Sequence, residues 1–248
     1  METTKKSQIV GIKNAGIVII CCFIIAVCIY HFLLGNPSNF MNNDPNNHPL
    51  NMLGTIYKGG IIVPVIQTLL LTVLALSIER YFALRSAFGK GSLAKFVANI
   101  KEALATGDLK KAQEICDQQR GSVANVVTAT LRKYEEMEKN TALPKEQKLL
   151  AIQKELEEAT ALEMPMMQQN LPIIATITTL GTLMGLLGTV IGMIRSFAAL
   201  SAGGGADSMA LSQGISEALI NTAFGILTGA LAVISYNYYT NKIDKLTY

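Results

Sequence analysis

Four long apolar stretches dominate this chain of 248 residues. The hydrocarbon core of a bilayer is about 30 Å thick and an α-helix rises about 1.5 Å per residue, so a spanning helix needs about 20 mostly apolar residues. The stretches that meet this requirement cover residues 14–34, 60–78, 172–194 and 214–236. Glu217 is the only Asp, Glu, Lys or Arg within them. We therefore predict an all-α, polytopic helical membrane protein with four transmembrane helices.

Composition excludes several classes of function. Charged residues make up 16% of the chain, compared with roughly 25% in soluble globular domains. The net charge of +3 is small for a nucleic-acid-binding protein, which clusters Lys and Arg on one face. Motifs typical of nucleotide-binding loops, serine hydrolases and zinc peptidases do not occur in the sequence. We predict no enzymatic activity, no cofactor and no nucleic-acid partner.

The first apolar stretch fits either a retained membrane anchor or a cleaved secretory signal. Lys5, Lys6 and Lys13 precede it, as basic residues precede a signal peptide. However, the run exceeds the roughly 7–15 apolar residues of a signal peptide, and it ends in HFLL rather than in small residues. We favour a retained anchor, and cleavage would leave the later spans unchanged.

The distribution of Lys and Arg predicts the orientation, because cytoplasmic flanks of membrane helices retain positive charge. The tail 1–13, the segment 79–171 and the tail 237–248 hold 19 of the 21 Lys and Arg residues. We expect these segments to be cytoplasmic and the loops 35–59 and 195–213 to be periplasmic. The first of these loops is predicted to be a connector with little regular structure, because it is rich in Asn, Pro and Asp.

The segment 79–171 has the composition of a soluble helical domain, with 14 basic and 13 acidic residues. Ser92 and Asp108 are predicted to begin helices as N-caps, since their side-chain oxygens can accept from free backbone N–H groups. Ser122, after Gly121, is predicted to open a further helix. Gly107 is predicted to end a helix.

The end of this segment predicts one long helix that leads into the third span. Its apolar residues recur at helical spacing: Leu149, Ile152, Leu156 and Ala159. Pro165 and Pro172 are expected to kink it, because proline lacks a backbone N–H.

Two further features have a structural interpretation. The acidic residues Glu155, Glu157 and Glu158 could form a metal or regulatory site, but a solvated helix face is favoured. Cys116 is interpreted as a packed apolar residue rather than a nucleophile, because no His lies near it in the sequence.

Glycines recur at helical spacing in the last two spans. In membranes, small residues mark packing faces because they let backbones approach closely. The residues predicted to pack are Gly181, Gly185, Gly188 and Gly192 in the third span and Gly225 and Gly229 in the fourth.

Hydroxyl groups follow the same periodicity. The third span predicts one continuous stripe of Thr178, Thr182, Gly185, Thr189, Gly192 and Ser196, and the fourth one of Ala218, Thr222, Gly225 and Gly229. Such a stripe suits water, a polar partner helix or an ion route, although each Thr can also bond its own helix. We predict a proton path lined by Thr178, Thr182, Thr189 and Thr222.

Glu217 lies near the outer end of the fourth span. A carboxylate inside a membrane costs free energy, so Glu217 is a functional candidate, and we predict that it lines the proton path together with the four threonines. The alternatives are a side chain that reaches the interface or one that bonds Asn221, one helical turn further on.

A two-part motif occupies the last two spans. The run LLGTVIGMIRSF covers residues 186–197, and after a short Gly-rich loop it is followed by GISEAL at 214–219 and TAFG at 222–225. Together with the phrase at 107–116, this motif closely resembles the ExbB/TolQ/MotA proton-channel family, and ExbB most of all. The resemblance covers roughly residues 60–240.

The resemblance implies a homopentamer around the membrane helices of an ExbD-like dimer in a bacterial inner membrane, driving a TonB-like protein for outer-membrane transport. The partner would supply the proton-binding Asp. ExbB and TolQ usually have three spans, so the stretch 14–34 is additional and is expected on the outside of the assembly. A TolQ-like subunit for envelope integrity and a non-conducting scaffold remain alternatives, and the segment 79–171 is short for a flagellar-type stator.

Overall fold

The described part of this computed structural model comprises residues 14–202 and 208–247. Its helices are α1 Ala15–Cys28, a π-helix Ile29–Leu34, α2 Met52–Tyr57, α3 Ile62–Phe88, α4 Leu93–Ala105, α5 Leu109–Gln119, α6 Ser122–Lys139, α7 Lys145–Gln168, α8 Leu171–Ala202 and α9 Ser208–Thr247. Within these residues the only β pairing is the isolated bridge Phe40–Pro49. The all-α prediction is therefore confirmed.

Four segments are helical and apolar enough to cross a membrane, as predicted. They are Ala15–Leu34, Ile62–Ala87, Lys145–Ala198 and Leu211–Leu246. The predicted N-terminal tail and the center of the Gly-rich loop, residues 203–207, lie outside the described residues.

The chain forms two compact units. One contains Glu79–Gln169 and the C-terminal residues from Tyr239, and the other contains the described residues up to Ile78 together with those of Asn170–Tyr238. Each is described separately below.

The unit around Glu79–Gln169 has its own apolar core, made by α4, α5 and α6. Its buried members are Phe96, Ile100, Ala103, Ala112, Cys116, Ala124 and Leu131. Cys116 is 2% exposed, and burial raises the pKa of its thiol. The interpretation of Cys116 as a packed residue is confirmed.

The predicted helix ends are mostly found. Asp108 accepts from the backbone N–H of Lys111 at 2.9 Å, and Gly107 ends α4 with a φ of +71°. Ser92 holds the N-cap position of α4 without a side-chain cap bond. Ser122 is the first residue of α6, as predicted, and Gly121 has the extended backbone of the N-cap position.

The acidic residues of α7 lie on its solvated side. Glu157 and Glu158 are exposed and Glu155 is partly exposed. The Lys154 Nζ atom lies 3.6 Å from a Glu158 carboxylate oxygen. Within residues 14–202 and 208–247, no three His, Cys, Asp or Glu side chains could together hold a metal ion.

The long helix predicted to lead into the third span is interrupted. α7 ends at Gln168, and Asn170 has a φ of +67° before α8 begins. Pro165 lies inside α7. Pro172 lies in the first turn of α8, where a missing N–H leaves no helical bond unmade. α7 therefore leads directly into the third span as predicted, but across a backbone break at residues 169–170 between the two prolines.

The loop 35–59 is more ordered than predicted. It contains the 3₁₀ turns Pro37–Asn39 and Met41–Asn43 as well as α2. Asn39 is buried, and its Nδ2 atom donates to the carbonyl oxygens of Leu33 at 2.8 Å and Leu34 at 3.0 Å. The loop is ordered because this side chain satisfies carbonyls that the end of the π-helix leaves free.

The additional N-terminal helix is fixed at its C-terminal end. The Tyr30 ring stacks on Tyr57 with 4.7 Å between centroids, and its hydroxyl donates to the Tyr57 carbonyl oxygen at 3.2 Å. Leu34, Ile56 and Val63 form a small buried cluster there, with Ile220 and Phe224 of α9 packed against it.

Candidate functional site

Glycines bring α8 and α9 of the same chain into backbone contact. All six glycines predicted to pack are buried. A Cβ atom added to Gly225 would lie 2.6 Å from the Gly185 Cα atom, and one added to Gly192 would lie 2.9 Å from the Ala218 Cβ atom. Added Cβ atoms on Gly181, Gly188 and Gly229 would also meet the opposite helix of this pair. The glycines therefore pack α8 against α9 of the same chain, and the two helices form a hairpin.

The glycine contact divides the predicted hydroxyl stripe. Gly185, Gly192 and Ser196 are buried, and the Ser196 hydroxyl donates to the Gly192 carbonyl oxygen at 3.0 Å. Thr182 is exposed, whereas Thr178 and Thr189 are half-buried. The stripe is thus not one open wall, because its small residues face α9.

The hydroxyls of α8 donate to their own helix. Thr178 donates to Ile174 at 3.4 Å, Thr182 to Thr178 at 3.3 Å, and Thr189 to Leu186. A hydroxyl that donates in this way keeps oxygen lone pairs that can accept a hydrogen bond. The chemistry these groups offer is therefore acceptor sites along the hairpin.

Thr222 of α9 differs from the other hydroxyls. It donates across the hairpin to the Gly185 carbonyl oxygen at 3.3 Å. Because Gly185 has no side chain, the two helices are close enough for this bond. Thr222 is half-buried.

The Glu217 carboxylate is held by two polar side chains. One oxygen accepts from the Gln213 Nε2 atom at 3.4 Å, and the other lies 3.8 Å from the Arg195 Nη1 atom of α8. The Glu217 side chain is 13% exposed and that of Arg195 is 55% exposed. An ion pair thus links the two helices, and at that exposure it is worth about 1 kcal/mol or less.

The structure contradicts the alternative in which Glu217 bonds Asn221. The Asn221 Nδ2 atom instead donates to the Gly59 carbonyl oxygen, just before α3, at 2.9 Å. Sequence reasoning gave Asn221 no role of its own. The available signal was a carboxamide in an apolar span, since a polar group there needs a partner.

Arg80 was also missed by sequence reasoning. It is 0% exposed, and its Nη1 atom donates to the carbonyl oxygens of Met166 and Met167, both at 3.2 Å. Its Nε atom donates to Glu79 at 2.7 Å. Arg80 therefore satisfies carbonyls in the last turn of α7, where no intrahelical partner exists.

Comparisons with known proteins agree on one family. The sequence profile of the MotA/TolQ/ExbB proton channel family matches residues 119–248. The putative biopolymer transport protein ExbB-like 1 of Synechocystis sp. is 32% identical over 75% of this chain and 69% of its own length. The Tol-Pal system protein TolQ of Pseudomonas aeruginosa is 25% identical over 73% of this chain and 81% of its own length.

A shorter match adds to these. The putative biopolymer transport protein ExbB-like 3 of Synechocystis sp. is 36% identical over 34% of this chain. That match covers only 41% of the relative's own length. The family profile, by contrast, covers more than half of the chain. Profile and relatives together confirm the resemblance seen in the two-part motif, and the chain belongs to the MotA/TolQ/ExbB proton channel family.

Proposed function

We propose that this chain is an ExbB-like subunit of a proton-driven motor in a bacterial inner membrane. A homopentamer of the chain surrounds the membrane helices of an ExbD-like dimer. Proton flow through the complex then drives work on a TonB-like protein for outer-membrane transport. Membership of a proton channel family supports this proposal.

One observation carries the proposal: a glycine-packed hairpin bears hydroxyl acceptors, with the Glu217 carboxylate near one end of them. Thr178, Thr182, Thr189 and Thr222 are at least partly accessible in the chain. The backbone contact between α8 and α9 fixes their spacing, because glycines leave no side chain that could repack. Pre-placed acceptors of this kind can guide a proton or a hydrated partner.

The chain lacks a carboxylate at mid-membrane, since Glu217 is the only Asp or Glu in the four predicted spans. In the proposal an Asp on the ExbD-like partner therefore carries the proton past the hydroxyls. One proton that moves down 100 mV releases about 2.3 kcal/mol, which is roughly a fiftyfold bias between two states. That is enough to favour one direction of partner movement.

The proposed topology follows the distribution of charge. Both termini and the segment 79–171 are cytoplasmic, and the loops 35–59 and 195–213 are periplasmic. Packing of the π-helix at the end of the first span against α2 and α9 supports retention of this span. Its exposed apolar residues, such as Ile20 and Ile24, fit the lipid-facing side of the assembly.

Two other functions remain candidates. A TolQ-like role in envelope integrity is favoured by the similarity to TolQ of Pseudomonas aeruginosa. A non-conducting scaffold is less well supported, because the glycine face that suggested it is already occupied within the chain.

The identity of the partner separates a proton-driven motor from a non-conducting scaffold. The full chain is purified from native membranes, and the co-purified proteins are identified by mass spectrometry. We expect a single-span protein with an Asp in its membrane helix. Recovery of the chain alone would support the scaffold instead.

Proton flux tests the hydroxyl path directly. The purified complex is reconstituted in vesicles, a membrane potential is imposed, and internal pH is followed with a dye. The double variant Thr189→Val/Thr222→Val keeps side-chain volume but removes both hydroxyls, so we expect flux to fall about tenfold or more.

A matched control tests whether that loss is specific. Thr228 is fully buried in α9 and donates to the Phe224 carbonyl oxygen of its own helix, so Thr228→Val should conduct like the wild type. Native mass spectrometry checks that both variants assemble. Normal flux in an assembled double variant would rule out the hydroxyl path.

A further inference from the structure

Asn221 connects the fourth span to the turn that precedes α3. It is 3% exposed, and its bond to the Gly59 carbonyl oxygen joins residues 162 positions apart in the sequence. Its Oδ1 atom has no hydrogen-bond partner among the described residues. The donated bond is therefore the polar contact that this buried carboxamide makes with another segment.

Two glycines form the space that Asn221 occupies. A Cβ atom on Gly188 of α8 would lie 2.9 Å from the Asn221 Cγ atom, and one on Gly59 would lie 2.9 Å from its Oδ1 atom. Three segments therefore meet at one side chain: the turn before α3, α8 and α9. The fit leaves little room for the carboxamide to turn away from Gly59.

The same turn contacts Arg195. Gly60 has a φ of +74°, and a Cβ atom there would lie 2.9 Å from the Arg195 Nη1 atom. This nitrogen is also the one that lies 3.8 Å from the Glu217 carboxylate. The Gly59–Gly60 turn is therefore held on one side by Asn221 and lies against the guanidinium on the other.

We propose that Asn221 is a positioning residue that keeps the Gly59–Gly60 turn against Arg195 and so holds Arg195 beside Glu217. This inference rests on the proposed function, in which protons pass along a hydroxyl path that has the Glu217 carboxylate near its outer end. Asn221 thus sets the geometry of the Arg195–Glu217 ion pair through the turn, without donating a hydrogen bond to either residue.

Two other ionisable groups lie near Glu217. Lys58 lies in the same turn, and Tyr30 lies on the π-helix. The Lys58 Nζ atom donates to the Asn46 carbonyl oxygen at 3.0 Å, and the Tyr30 hydroxyl donates to Tyr57. Both are held by the outer loop, so neither replaces Arg195 as the direct partner of the carboxylate.

The first test measures the turn and Arg195 without relying on proton flux. In the full purified complex, hydrogen–deuterium exchange is followed at 59–63, and the rate of Arg195 modification by a dicarbonyl reagent is determined. Loss of one hydrogen bond in Asn221→Ala should speed exchange roughly two- to tenfold. Arg195 should also be modified faster.

A second variant covers the case in which Asn221→Ala does not fold. In Asn221→Ser the short hydroxyl cannot reach Gly59 but can bond its own helix, so the substituted side chain itself keeps a partner while the Gly59 carbonyl oxygen loses its donor. We expect the same loosened turn. Thr228→Val serves as the buried control and should leave both rates unchanged. Unchanged exchange or unchanged Arg195 modification in the Asn221 variants would overturn the proposal.

Proton flux then asks whether Asn221 acts through Glu217. We expect Asn221→Ala to reduce flux in the wild type and to have no further effect in a Glu217→Gln background, because residues that act as a unit are not additive. Independent, additive losses would overturn the positioning role. If the wild-type complex conducts no protons, the proposed function fails, while exchange and Arg195 modification still decide the role of Asn221.

Discussion

Gly225→Ala tests the backbone contact between α8 and α9. The added methyl group would lie 2.6 Å from the Gly185 Cα atom and 2.7 Å from the Gly181 carbonyl oxygen. Both are backbone atoms, so no side chain can rotate away and the helices must separate. Overpacking of this kind costs about 1–3 kcal/mol, and separation also weakens the bond from Thr222 to Gly185, worth about 1 kcal/mol.

An opposing term reduces that cost. Alanine is favoured over glycine inside a helix by about 1 kcal/mol. We therefore expect a net loss of about 2 kcal/mol, which is roughly thirtyfold in the ratio of folded to unfolded chain. For a chain of this size the midpoint of thermal unfolding should fall by about 4–8 °C.

Circular dichroism at the helical minimum in detergent measures this change. Gly16→Ala is the matched control, because the nearest atom to a Cβ at this exposed helical position is 3.8 Å away; it should be neutral or slightly stabilising. Gly185→Leu should prevent α8 and α9 from packing as a hairpin. We therefore expect this variant to form no oligomer, because the hairpin itself is lost. A Gly225→Ala midpoint equal to or above that of the wild type would refute the close contact.

Three further changes test other parts of the chain. Glu217→Gln should assemble normally and lose proton-driven activity while the free energy of unfolding changes by less than about 1 kcal/mol, since its partner Arg195 is largely exposed; full flux in vesicles would show that the charge is not needed. Arg80→Met should lower the free energy of unfolding by about 3–5 kcal/mol, because it removes the guanidinium that pairs with Glu79 and leaves that carboxylate buried. A loss below about 1 kcal/mol in chemical denaturation would contradict this. Cys116 should resist maleimide at neutral pH and react after denaturation, because burial and the raised pKa keep it a protonated thiol. Mass spectrometry measures the labelling, and rapid labelling of the native chain would contradict the packed position of Cys116.

Much of the fold could be predicted from short stretches of sequence. The four spans follow from length and hydropathy alone, because a helix must satisfy its backbone hydrogen bonds internally to cross a bilayer. Asp108 could be predicted as an N-cap because it bonds Lys111, three residues away. The order of the loop 35–59 could not be predicted in this way, because Asn39 bonds carbonyls at the end of the preceding helix and composition does not show that pairing.

The candidate site was only partly predictable for the same reason. The repeats of glycine and threonine established which residues share a helical periodicity. They did not establish which of these residues face the other helix, so the predicted stripe did not reveal that Gly192 and Ser196 are buried against α9.

The amino-acid sequence by itself therefore determined the helical class, the number of spans and the family, because each depends on local hydropathy or on a contiguous motif. Only the tertiary structure decided that Asn221 bonds Gly59, that Arg80 bonds Met166 and Met167, and that Glu217 pairs with Arg195. The Asn221 bond joins residues 162 positions apart, and the two Arg80 bonds join residues 86 and 87 positions apart. They depend on how each helix is rotated about its axis, and that rotation is fixed by packing between helices rather than by the order of residues within one of them.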